Sequence, residues 1–311
     1  MEHWDLVVVG GGPAGLAAGI YAGRSKLKTV ILEEKTPGGE AAITPLVENY
    51  PGFESISGIE LVEKMVKHCE KFGAKINGLE RVVSLDLDQK KKIVKTDKEE
   101  YTAAAMIAAT GTHYRLLNVP GEKEFLGRGV SYCALCDGAF FKGKKVIVVG
   151  GGNSAASSAE YLSNIADKVV LVHRKDQLRA EEAYVDALKT QNVEFVWETE
   201  IKEINGNNIV KSVTLQNNKI GELREEEVDG VFIQVGVIPN SKLFKEAGIA
   251  VDRGGYIIVN SSQKTNVPGV FAAGDVTNLP IKQIGTAVGQ GIIAATEAFG
   301  YIKRPYYYKG M

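Results

Sequence analysis

The sequence predicts an α/β fold that contains two units of the same design, each with a buried strand, a glycine-rich turn, a helix and a second strand. The first pattern is DLVVVGGGPAGLAAGIYAGRSKLKTVILEE, and the second is KKVIVVGGGNSAASSAEYLSNIADKVVLVHRKDQLR. A third stretch, VFAAGD, consists of a short apolar strand followed by a glycine and an acid. Strands that alternate with helical stretches in this way are typical of parallel sheets.

The first unit starts with an apolar strand at residues 6–9. Gly10, Gly12 and Gly15 follow in the spacing G-x-G-x-x-G, before an alanine-rich helix. These glycines permit a tight turn, close approach of the backbone to a pyrophosphate, and close packing of helix on strand. Glu33 ends the second strand about 20 residues later, where an acid accepts hydrogen bonds from a ribose 2′-hydroxyl. The pattern predicts a dinucleotide site, the alternative being a tight turn with no ligand.

The second unit repeats the design with one difference at the end of its second strand. A strand at residues 146–149 leads to Gly150, Gly152 and Ala155, and a helix runs to about residue 164. The second strand, VVLVH, ends in a basic group instead of an acid. Positive charge at this place suits a nucleotide with a 2′-phosphate, whereas the alternative is a solvated charged loop. The members of the basic group are His173, Arg174, Lys175 and Arg179.

The carboxyl-terminal part of the sequence contains a further turn after a strand that could bind a dinucleotide. The strand VFAAGD ends in Gly274 and Asp275, and a helix rich in small residues follows from about Gln283. A glycine and an acid at a helix entrance can approach a dinucleotide. Two other stretches, MIAATGTHYR and GVFIQVGVIPN, each place a turn with glycine after a strand, and they suit the crossings between two domains.

The length and charge of the chain limit the classes of function that are compatible with it. A chain of 311 residues is long enough for about two domains. Its 37 basic and 38 acidic residues give no basic field for nucleic acid or an anionic membrane. Apolar runs such as AAAMIAA are shorter than the roughly 18 residues of a membrane span. The start, MEHWDLVVVGGG, does not have the pattern of a signal peptide, so we expect a cytoplasmic protein.

Cysteine is sparse, yet two of the three cysteines lie close together. Cys133 and Cys136 form a C-x-x-C pair in SYCALCDGAFF, whereas Cys69 lies alone on an expected amphipathic helix. The pair has three possible interpretations: a redox centre, part of a zinc site, or two inert buried thiols. A structural zinc ion needs four ligands, and the sequence has no second close-spaced pair. A redox role is favoured because a thiol at a helix N-terminus has a lowered pKa.

Taken together, GGGPAG, ATG at residues 109–111, CALCDG, GGGNSA, HRKDQLR and GVFAAGD resemble the low-molecular-weight thioredoxin reductases. The resemblance covers residues 6 to about 300. Its most specific element is C-x-x-C-D-G directly before the second glycine loop, because glutathione-type reductases carry their pair near the amino terminus. The resemblance implies two Rossmann-like dinucleotide-binding domains of the three-layer ββα type, and a homodimer. An NADPH domain at residues 118–240 would be inserted into an FAD domain formed by residues 1–117 and 241–311.

The resemblance also implies roles for individual residues. Cys136 would face the flavin, Cys133 would attack the disulfide of a protein substrate, and Asp137 would protonate the departing thiolate, unless Asp137 only forms the turn. Residues expected to contact FAD are Gly10, Gly12, Gly15, Glu33, Gly39, Glu40, Asn49, Thr110, Gly111, Gly274, Asp275 and Gln283. Residues expected to contact NADPH are Gly150, Gly152, Asn153, Ser154, Ala155, His173, Arg174, Lys175 and Arg179.

Three residues depart from the family pattern. Glu40 stands where the family has glutamine, Lys175 replaces a frequent second arginine, and Lys282 stands where an arginine is frequent beside the flavin. A lysine offers a point charge where arginine offers a fork of donors. The electron donor therefore stays open between NADPH and another reductant such as ferredoxin or a deazaflavin.

The predicted function is transfer of electrons from NADPH through FAD and a Cys133–Cys136 disulfide to a thioredoxin- or glutaredoxin-like dithiol protein. One alternative is a flavin or ferredoxin reductase, for which a dithiol has no use, and another is a non-catalytic flavoprotein that senses redox state. The resemblance further implies that the inserted domain rotates, with hinges near residues 112–118 and 236–240. The tail PYYYKGM has no role that the sequence indicates.

Overall fold

The computed structural model describes residues 2–44, 46–87 and 91–304. The aromatic tail PYYYKGM, residues 305–311, lies outside the described residues. The chain divides into two compact units: unit 1 consists of Met1–His113 and Ile238–Met311, and unit 2 of Tyr114–Val237. Unit 2 is thus inserted into the sequence of unit 1. Within the described ranges, no helix has the length and apolar character that crossing a membrane requires.

Up to Tyr114, the described residues form seven strands and three helices. In chain order they are β1 (Glu2–Val9), α1 (Pro13–Arg24), β2 (Thr29–Leu32), α2 (Gly39–Ala42), α3 (Gly58–Lys71), β3 (Lys75–Asn77), β4 (Val82–Asp86), β5 (Lys92–Thr96), β6 (Glu100–Ala108) and β7 (Thr112–Tyr114). The first strand is longer than the predicted 6–9 because residues 2–4 also pair with β6.

The middle of the chain forms the elements of unit 2. They are β8 (Val130–Ser131), α4 (Ala134–Asp137) with a following 3-10 turn (Gly138–Phe141), β9 (Lys145–Gly150), α5 (Asn153–Ser163), β10 (Lys168–Val172), α6 (Glu182–Lys189), β11 (Val193–Val196), β12 (Thr199–Gly206), β13 (Val210–Asn217), β14 (Leu223–Glu227) and β15 (Gly230–Gln234). The chain then returns to unit 1 through β16 (Val237–Pro239), α7 (Lys242–Glu246), β17 (Val270–Ala272) and α8 (Ile284–Lys303). At the two crossings, β7 pairs with β16 in a two-stranded sheet.

Unit 1 is built on a parallel sheet with both faces covered. The sheet has the order β3-β2-β1-β6, and the far edge of β6 pairs with antiparallel β5 at one end and with parallel β17 at the other. Side chains of β1 alternate between two cores: Leu6 and Val8 pack with helices α1, α3 and α8, and Val7 and Val9 pack with the opposite layer. Burial of one such side chain stabilises the fold by about 1.5–3 kcal/mol.

The helical layer of unit 1 packs closely because its contact positions are small. A Cβ at Gly291 of α8 would lie 2.1 Å from the carbonyl oxygen of Ala14 in α1, and a Cβ at Gly19 would lie 2.5 Å from Cys69 Sγ in α3. Helix α3 is amphipathic, as predicted, and it buries Cys69 completely. Ser57 caps this helix by accepting a hydrogen bond from the backbone N–H of Glu60 at 3.3 Å.

Unit 2 repeats the three-layer design. Its parallel sheet has the order β11-β10-β9-β15-β8, and a separate antiparallel sheet has the order β12-β13-β14. Val146 and Val148 of β9 face α5, and Ile147 and Val149 face the antiparallel sheet. Parallel strands buried on both faces explain why these segments are continuously apolar in the sequence. The predicted fold class, two dinucleotide-binding α/β domains with one inserted into the other, is confirmed.

Candidate active site

The glycines of the first loop have different surroundings. The loop connects β1 to α1, and Gly10 has φ +108°. A Cβ at Gly10 would lie 2.3 Å from the carbonyl oxygen of Ala109, and one at Gly15 would lie 1.9 Å from that of Gly10. At Gly12 an added Cβ would meet no atom within 4 Å. Gly10 and Gly15 therefore let backbone segments approach each other, while the backbone at Gly12 faces open space.

Glu33 is fixed beside this loop. It follows the last residue of β2, and its Oε2 accepts a hydrogen bond of 2.7 Å from the backbone N–H of Gly11. Its Oε1 accepts a second hydrogen bond of 2.9 Å from the N–H of Lys35. A carboxylate has about four acceptor positions, so Glu33 keeps acceptor capacity after both bonds. The side chain can thus bind a hydroxyl next to the glycine loop.

Gly39 and Glu40 lie at the start of α2 and close to the same loop. The N–H of the preceding Gly38 donates to the carbonyl oxygen of Gly11 at 2.9 Å. A Cβ at Gly39 would lie 3.5 Å from Gly12 Cα. Burial raises the pKa of Glu40 above its ordinary value, while the charges of Lys35 and His113 act in the opposite direction.

Thr110 and Gly111 follow β6, and they are bonded to the segment that returns from unit 2. Thr110 Oγ1 donates to the carbonyl oxygen of Asn240 at 2.8 Å, and the Asn240 amide donates to the carbonyl oxygen of Thr110 at 2.8 Å. The N–H of Asn240 also donates to Gly111 at 3.0 Å. These bonds fix the backbone at the carboxyl end of β6.

Gly274 and Asp275 follow β17 at the same edge of the sheet. Gly274 has φ +80°, a conformation that favours glycine, and its N–H donates to Gln290 Oε1 at 2.6 Å. Sequence reasoning missed Gln290, although a glutamine within the small apolar residues of α8 is an unusual choice for a buried position. Gln290 thus fixes the turn that presents Asp275.

Charged groups near Asp275 influence one another. Burial raises the pKa of Asp275 to about 6, the positive charge of Lys282 lowers it, and the carboxylate of Glu40 raises it. Lys282 Nζ donates to the carbonyl oxygens of Asp275 at 3.0 Å and Thr277 at 2.5 Å, and it lies 4.5 Å from the ring centre of Tyr256. Burial lowers the pKa of Lys282. Lys282 therefore holds the turn through backbone contacts.

The predicted residues of unit 1 come together at one edge of the sheet. Asn49, from the loop after α2, donates through its amide to Gln283 Oε1 at 3.1 Å. Gln283 is also the N-cap of α8, where it and Thr286 form a capping box. The other predicted residues follow the carboxyl ends of β1, β2, β6 and β17 or lie in the first turns of α1 and α2. In open α/β sheets, ligands bind outside the carboxyl ends of the strands.

The second loop, in unit 2, repeats the surroundings of the first. Gly150 has φ +155°, and a Cβ there would lie 2.3 Å from the carbonyl oxygen of Gln234 and 2.8 Å from Ala155 Cβ. An added Cβ at Gly152 would meet no atom within 4 Å. Ala155 is buried in α5, and Ser154 is exposed in its first turn. This loop also presents open backbone at its middle glycine.

Asn153 connects the second loop to the start of α6. Its amide donates to Glu181 Oε1 at 2.8 Å, and its Oδ1 accepts from the backbone N–H of Glu181 at 2.8 Å. The N–H of Arg179 donates to the carbonyl oxygen of Gly151 at 2.6 Å. The segment that carries the basic group is thereby fixed against the glycine loop.

The basic group divides into one buried and three exposed residues. Arg174, Lys175 and Arg179 are exposed, whereas His173 is 4% exposed, and its Nε2 has no hydrogen-bond partner among the described residues. Burial lowers the pKa of His173, and the positive charges of Arg179, Arg174 and Lys175 lower it further. Both influences favour the unprotonated imidazole of His173. The assignment of His173 to the nucleotide site stays a prediction, and the structure places its ring against Gly151.

Cys133 and Cys136 form a disulfide with a Cα–Cα distance of 5.3 Å. Cys133 is the N-cap of α4, and its Sγ accepts a hydrogen bond of 3.2 Å from the N–H of Cys136. Both cysteines are half-buried. The sequence prediction of a bonded pair in this turn agrees with the structure. Cys69, the third cysteine, is free, and burial raises its pKa to about 12.

Asp137 follows the pair directly and has an altered acidity. Burial raises its pKa, and a hydrogen bond from Ser131 lowers it. Ser131 Oγ donates to Asp137 Oδ2 at 2.5 Å and accepts from the N–H of Cys133 at 3.0 Å. Sequence reasoning did not assign a role to Ser131, although it lies only two residues before Cys133. The turn thus contains a disulfide and a carboxyl group that can hold a proton at higher pH than an exposed aspartate.

Comparison with known proteins gives a consistent result. The chain matches the family described as pyridine nucleotide-disulphide oxidoreductase over residues 4–291. It is 46% identical to thioredoxin reductase of Bacillus subtilis (strain 168), over 96% of this chain and 95% of that protein. It is 44% identical to thioredoxin reductase of Peptoclostridium acidaminophilum, over 97% and 98% of the two chains.

A solved structure agrees with this family assignment. The crystal structure of thioredoxin reductase from Streptococcus pyogenes MGAS5005 is 43% identical and superimposes with a TM-score of 0.92, covering 97% of this chain and 98% of that one. The resemblance that the sequence motifs indicated is therefore confirmed. The chain belongs to the pyridine nucleotide-disulphide oxidoreductases and, within them, to the thioredoxin reductase family.

Proposed function

We propose that this protein is a thioredoxin reductase that moves two electrons from NADPH to the disulfide of a small thioredoxin- or glutaredoxin-like protein. The observation that carries the proposal is the Cys133–Cys136 disulfide with Asp137 directly after it. A thiol pair that reduces another disulfide needs a nucleophilic sulfur, a second sulfur that resolves the mixed disulfide, and a group that exchanges protons. This turn contains all three.

The family uses a flavin and a pyridine nucleotide, and we assign the flavin to unit 1 as FAD. The open backbone at Gly12 can receive a pyrophosphate, and the N-terminus of α1 favours its negative charge. Glu33 has free acceptor capacity for a ribose hydroxyl and would repel a 2′-phosphate. The turn at Gly274 and Asp275 supplies further polar contacts. These residues fit an adenine dinucleotide that has a free 2′-hydroxyl.

We assign NADPH to unit 2. Gly152 leaves the same open backbone before α5, and the position directly after β10 is occupied by His173 instead of an acid. Arg174, Lys175 and Arg179 place three exposed positive charges near the loop. An arginine can bind a phosphate through two parallel hydrogen bonds, and a lysine can bind it as a point charge. This group fits a 2′-phosphate, which distinguishes NADPH from NADH.

The thiol chemistry then follows from the residues of the Cys133 turn. The flavin, when bound, would supply the two electrons that reduce the disulfide. The Cys133 thiolate forms a bond to one substrate sulfur while the substrate S–S bond breaks, and the leaving thiolate takes the proton of Asp137. Asp137 then accepts the proton of Cys136, whose sulfur attacks Cys133. This step restores the disulfide, and the second substrate thiolate leaves with that proton, so two electrons and two protons reach the substrate.

The domain boundaries and the setting are also proposals. We infer that the FAD domain consists of residues 1–117 and 241–311 and that the NADPH domain consists of residues 118–240. The two compact units, which change at residues 113/114 and 237/238, support this division. The resemblance supports a homodimer, and the sparse use of cysteine supports a cytoplasmic protein.

Two single substitutions test the roles of the cysteines. Cys133→Ser should abolish disulfide reduction and leave a Cys136 thiolate with a long-wavelength charge-transfer band to the flavin. Cys136→Ser should lack the band and should trap a mixed disulfide through Cys133. Cys69→Ser is the matched control, because Cys69 is buried in α3 and should leave both properties unchanged. The band in the opposite variant would reverse the two roles.

The donor is tested separately by anaerobic titration of the purified protein. NADPH should reduce the flavin and then the disulfide, with NADH much less effective. If millimolar NADPH leaves the flavin oxidised while reduced ferredoxin or a deazaflavin reduces it, the NADPH assignment fails and the disulfide chemistry stands. If reduced protein does not transfer electrons to any dithiol protein, the reductase assignment fails.

A further inference from the structure

Ser131 occupies a central place in the turn that carries the redox cysteines. It is the last residue of β8 and is 3% exposed, and its hydroxyl lies near three polar groups. The Cys133 N–H donates to Ser131 Oγ at 3.0 Å, Asp137 Oδ2 lies at 2.5 Å, and the carbonyl oxygen of Cys133 lies at 3.3 Å. One hydroxyl thus contacts the nucleophilic cysteine's backbone and the carboxyl group that follows the pair.

The hydrogen-bond capacity of a serine hydroxyl matches both charge states of Asp137. A hydroxyl has one proton to donate and two lone pairs that accept. When Asp137 is ionised, Ser131 donates to its Oδ2 and accepts from the Cys133 N–H. When Asp137 is protonated, its O–H can donate to Ser131 Oγ, and the serine proton turns to the Cys133 carbonyl oxygen. No buried polar group of this cluster then loses its partner in either state.

We propose that Ser131 is a positioning residue that lets the half-buried Asp137 gain and lose a proton, by exchanging its hydrogen bond between the Asp137 carboxyl and the Cys133 carbonyl. A donor or acceptor that is removed from water and left without a partner destabilises the protein, and Ser131 avoids this at each proton transfer. The catalytic part of the inference rests on the proposed reductase function, since it concerns the proton that Asp137 delivers.

In the part of the chain that the structure describes, Ser131 gives the side-chain hydrogen bond that influences the acidity of Asp137. Among the described residues, burial and the Ser131 hydrogen bond are the influences that alter its pKa. In its own turn, Cys133 and Cys136 are joined as a disulfide and carry no charge. From α5, the ring of Tyr161 lies against Gly138, the residue after Asp137. The effect of Ser131 on Asp137 should therefore be measurable by itself.

The first test is a carboxyl titration of the oxidised, flavin-loaded protein, followed by infrared absorption of the protonated acid. The variant Asp137→Asn identifies the band that belongs to Asp137. Ser131→Ala removes a hydrogen bond that stabilises the ionised carboxyl more than the protonated one, so the Asp137 midpoint should rise by about one pH unit. Ser131→Thr keeps the hydroxyl and should titrate close to wild type.

A matched control comes from another buried serine of the same unit. Ser212 Oγ donates to Glu225 Oε1 at 2.5 Å on the antiparallel sheet and is 6% exposed. Ser212→Ala loses a comparable bond away from the cysteines, so the Asp137 midpoint should not change. Melting temperature and bound flavin, measured for every variant, show whether the fold is retained.

The second test is the pH profile of disulfide reduction in single turnover of the reduced protein. For Ser131→Ala, the limb that reports protonated Asp137 should move to higher pH, and Ser131→Thr should restore the wild-type profile. The inference is overturned if Ser131→Ala leaves the Asp137 midpoint unchanged, or if Ser131→Thr behaves like alanine. The titration uses no substrate, so a failure of the reductase assignment would leave its result interpretable.

Discussion

Replacing Gly12 by valine should remove the flavin while leaving the fold intact. Gly12 has φ −76° and ψ −174°, an extended conformation that valine adopts readily, and its added Cβ would meet no protein atom within 4 Å. Gly10 and Gly15 offer no such test, because a Cβ would lie 2.3 Å and 1.9 Å from a carbonyl oxygen at those positions. Of these three glycines, Gly12 is the one where an added side chain would block the ligand without colliding with the protein.

The magnitude follows from the contacts that the phosphate would lose. A hydrogen bond to a charged group contributes about 1.5–3 kcal/mol. If the valine prevents two backbone N–H groups from reaching the pyrophosphate, affinity falls by about 3–6 kcal/mol, or roughly a hundred- to ten-thousandfold. The fold should lose only about 1 kcal/mol, because glycine is a better N-cap than valine.

The assay is a titration of flavin-free protein with FAD, followed by quenching of flavin fluorescence. Gly152→Val is the matched control, since Gly152 also has open space and an extended backbone but lies in the second loop. It should bind FAD as wild type does. If Gly12→Val binds FAD within threefold of wild type, or if both variants lose FAD equally, the placement of the flavin is wrong.

The remaining predictions concern the second loop, the basic group and two buried side chains. Gly152→Val should keep its flavin and raise the KM for NADPH at least about a hundredfold in steady-state assays, by the same loss of phosphate contacts; an unchanged KM would refute the nucleotide site. Arg174→Ala should weaken NADPH about ten- to hundredfold and leave NADH unchanged, and Lys175→Ala should have a smaller effect because lysine has no fork of donors; equal losses for both nucleotides would contradict the 2′-phosphate assignment. Because burial raises the pKa of Cys69 to about 12 and its side chain is 0% exposed, a thiol reagent at pH 8 should find no reactive thiol in the oxidised native protein and one per chain after unfolding. The pKa of Asp275 is raised to about 6 in the fold, so between about pH 4 and pH 6 the folded state binds more protons than the unfolded state. The free energy of unfolding of the flavin-free protein should therefore fall as the pH rises through this range. In urea unfolding, Asp275→Asn should make this fall smaller by roughly 2–3 kcal/mol.

Much of the fold could be predicted because the steric roles of the glycines are local. Gly10 follows the buried strand β1 and Gly150 ends the buried strand β9, and their φ values of +108° and +155° are ones that other residues rarely adopt. The strand, loop and helix around each of them follow from a few consecutive residues. The C-x-x-C pair was predictable for the same reason, since Cys133 and Cys136 lie within one turn of helix.

Other parts depended on contacts between distant segments. The bond between Gln290 and Gly274 requires α8 to lie under the turn after β17, and no local pattern fixes that register. The burial of His173 was missed for the same reason. In the sequence it adjoins Arg174, yet in the fold its ring is buried against Gly151. Charge read from the sequence alone does not include the cost of burial.

The basic group also shows how the second loop separates two tasks. Arg179 contributes its N–H to Gly151, and Asn153 exchanges two hydrogen bonds with Glu181, so backbone contacts hold the segment in place. The exposed side chains of Arg174 and Lys175 take no part in these contacts. Binding of a pyrophosphate would depend on the shape of the loop, which NADPH and NADH use alike. Discrimination between them would depend on the exposed charges, which can therefore change without loss of the fold.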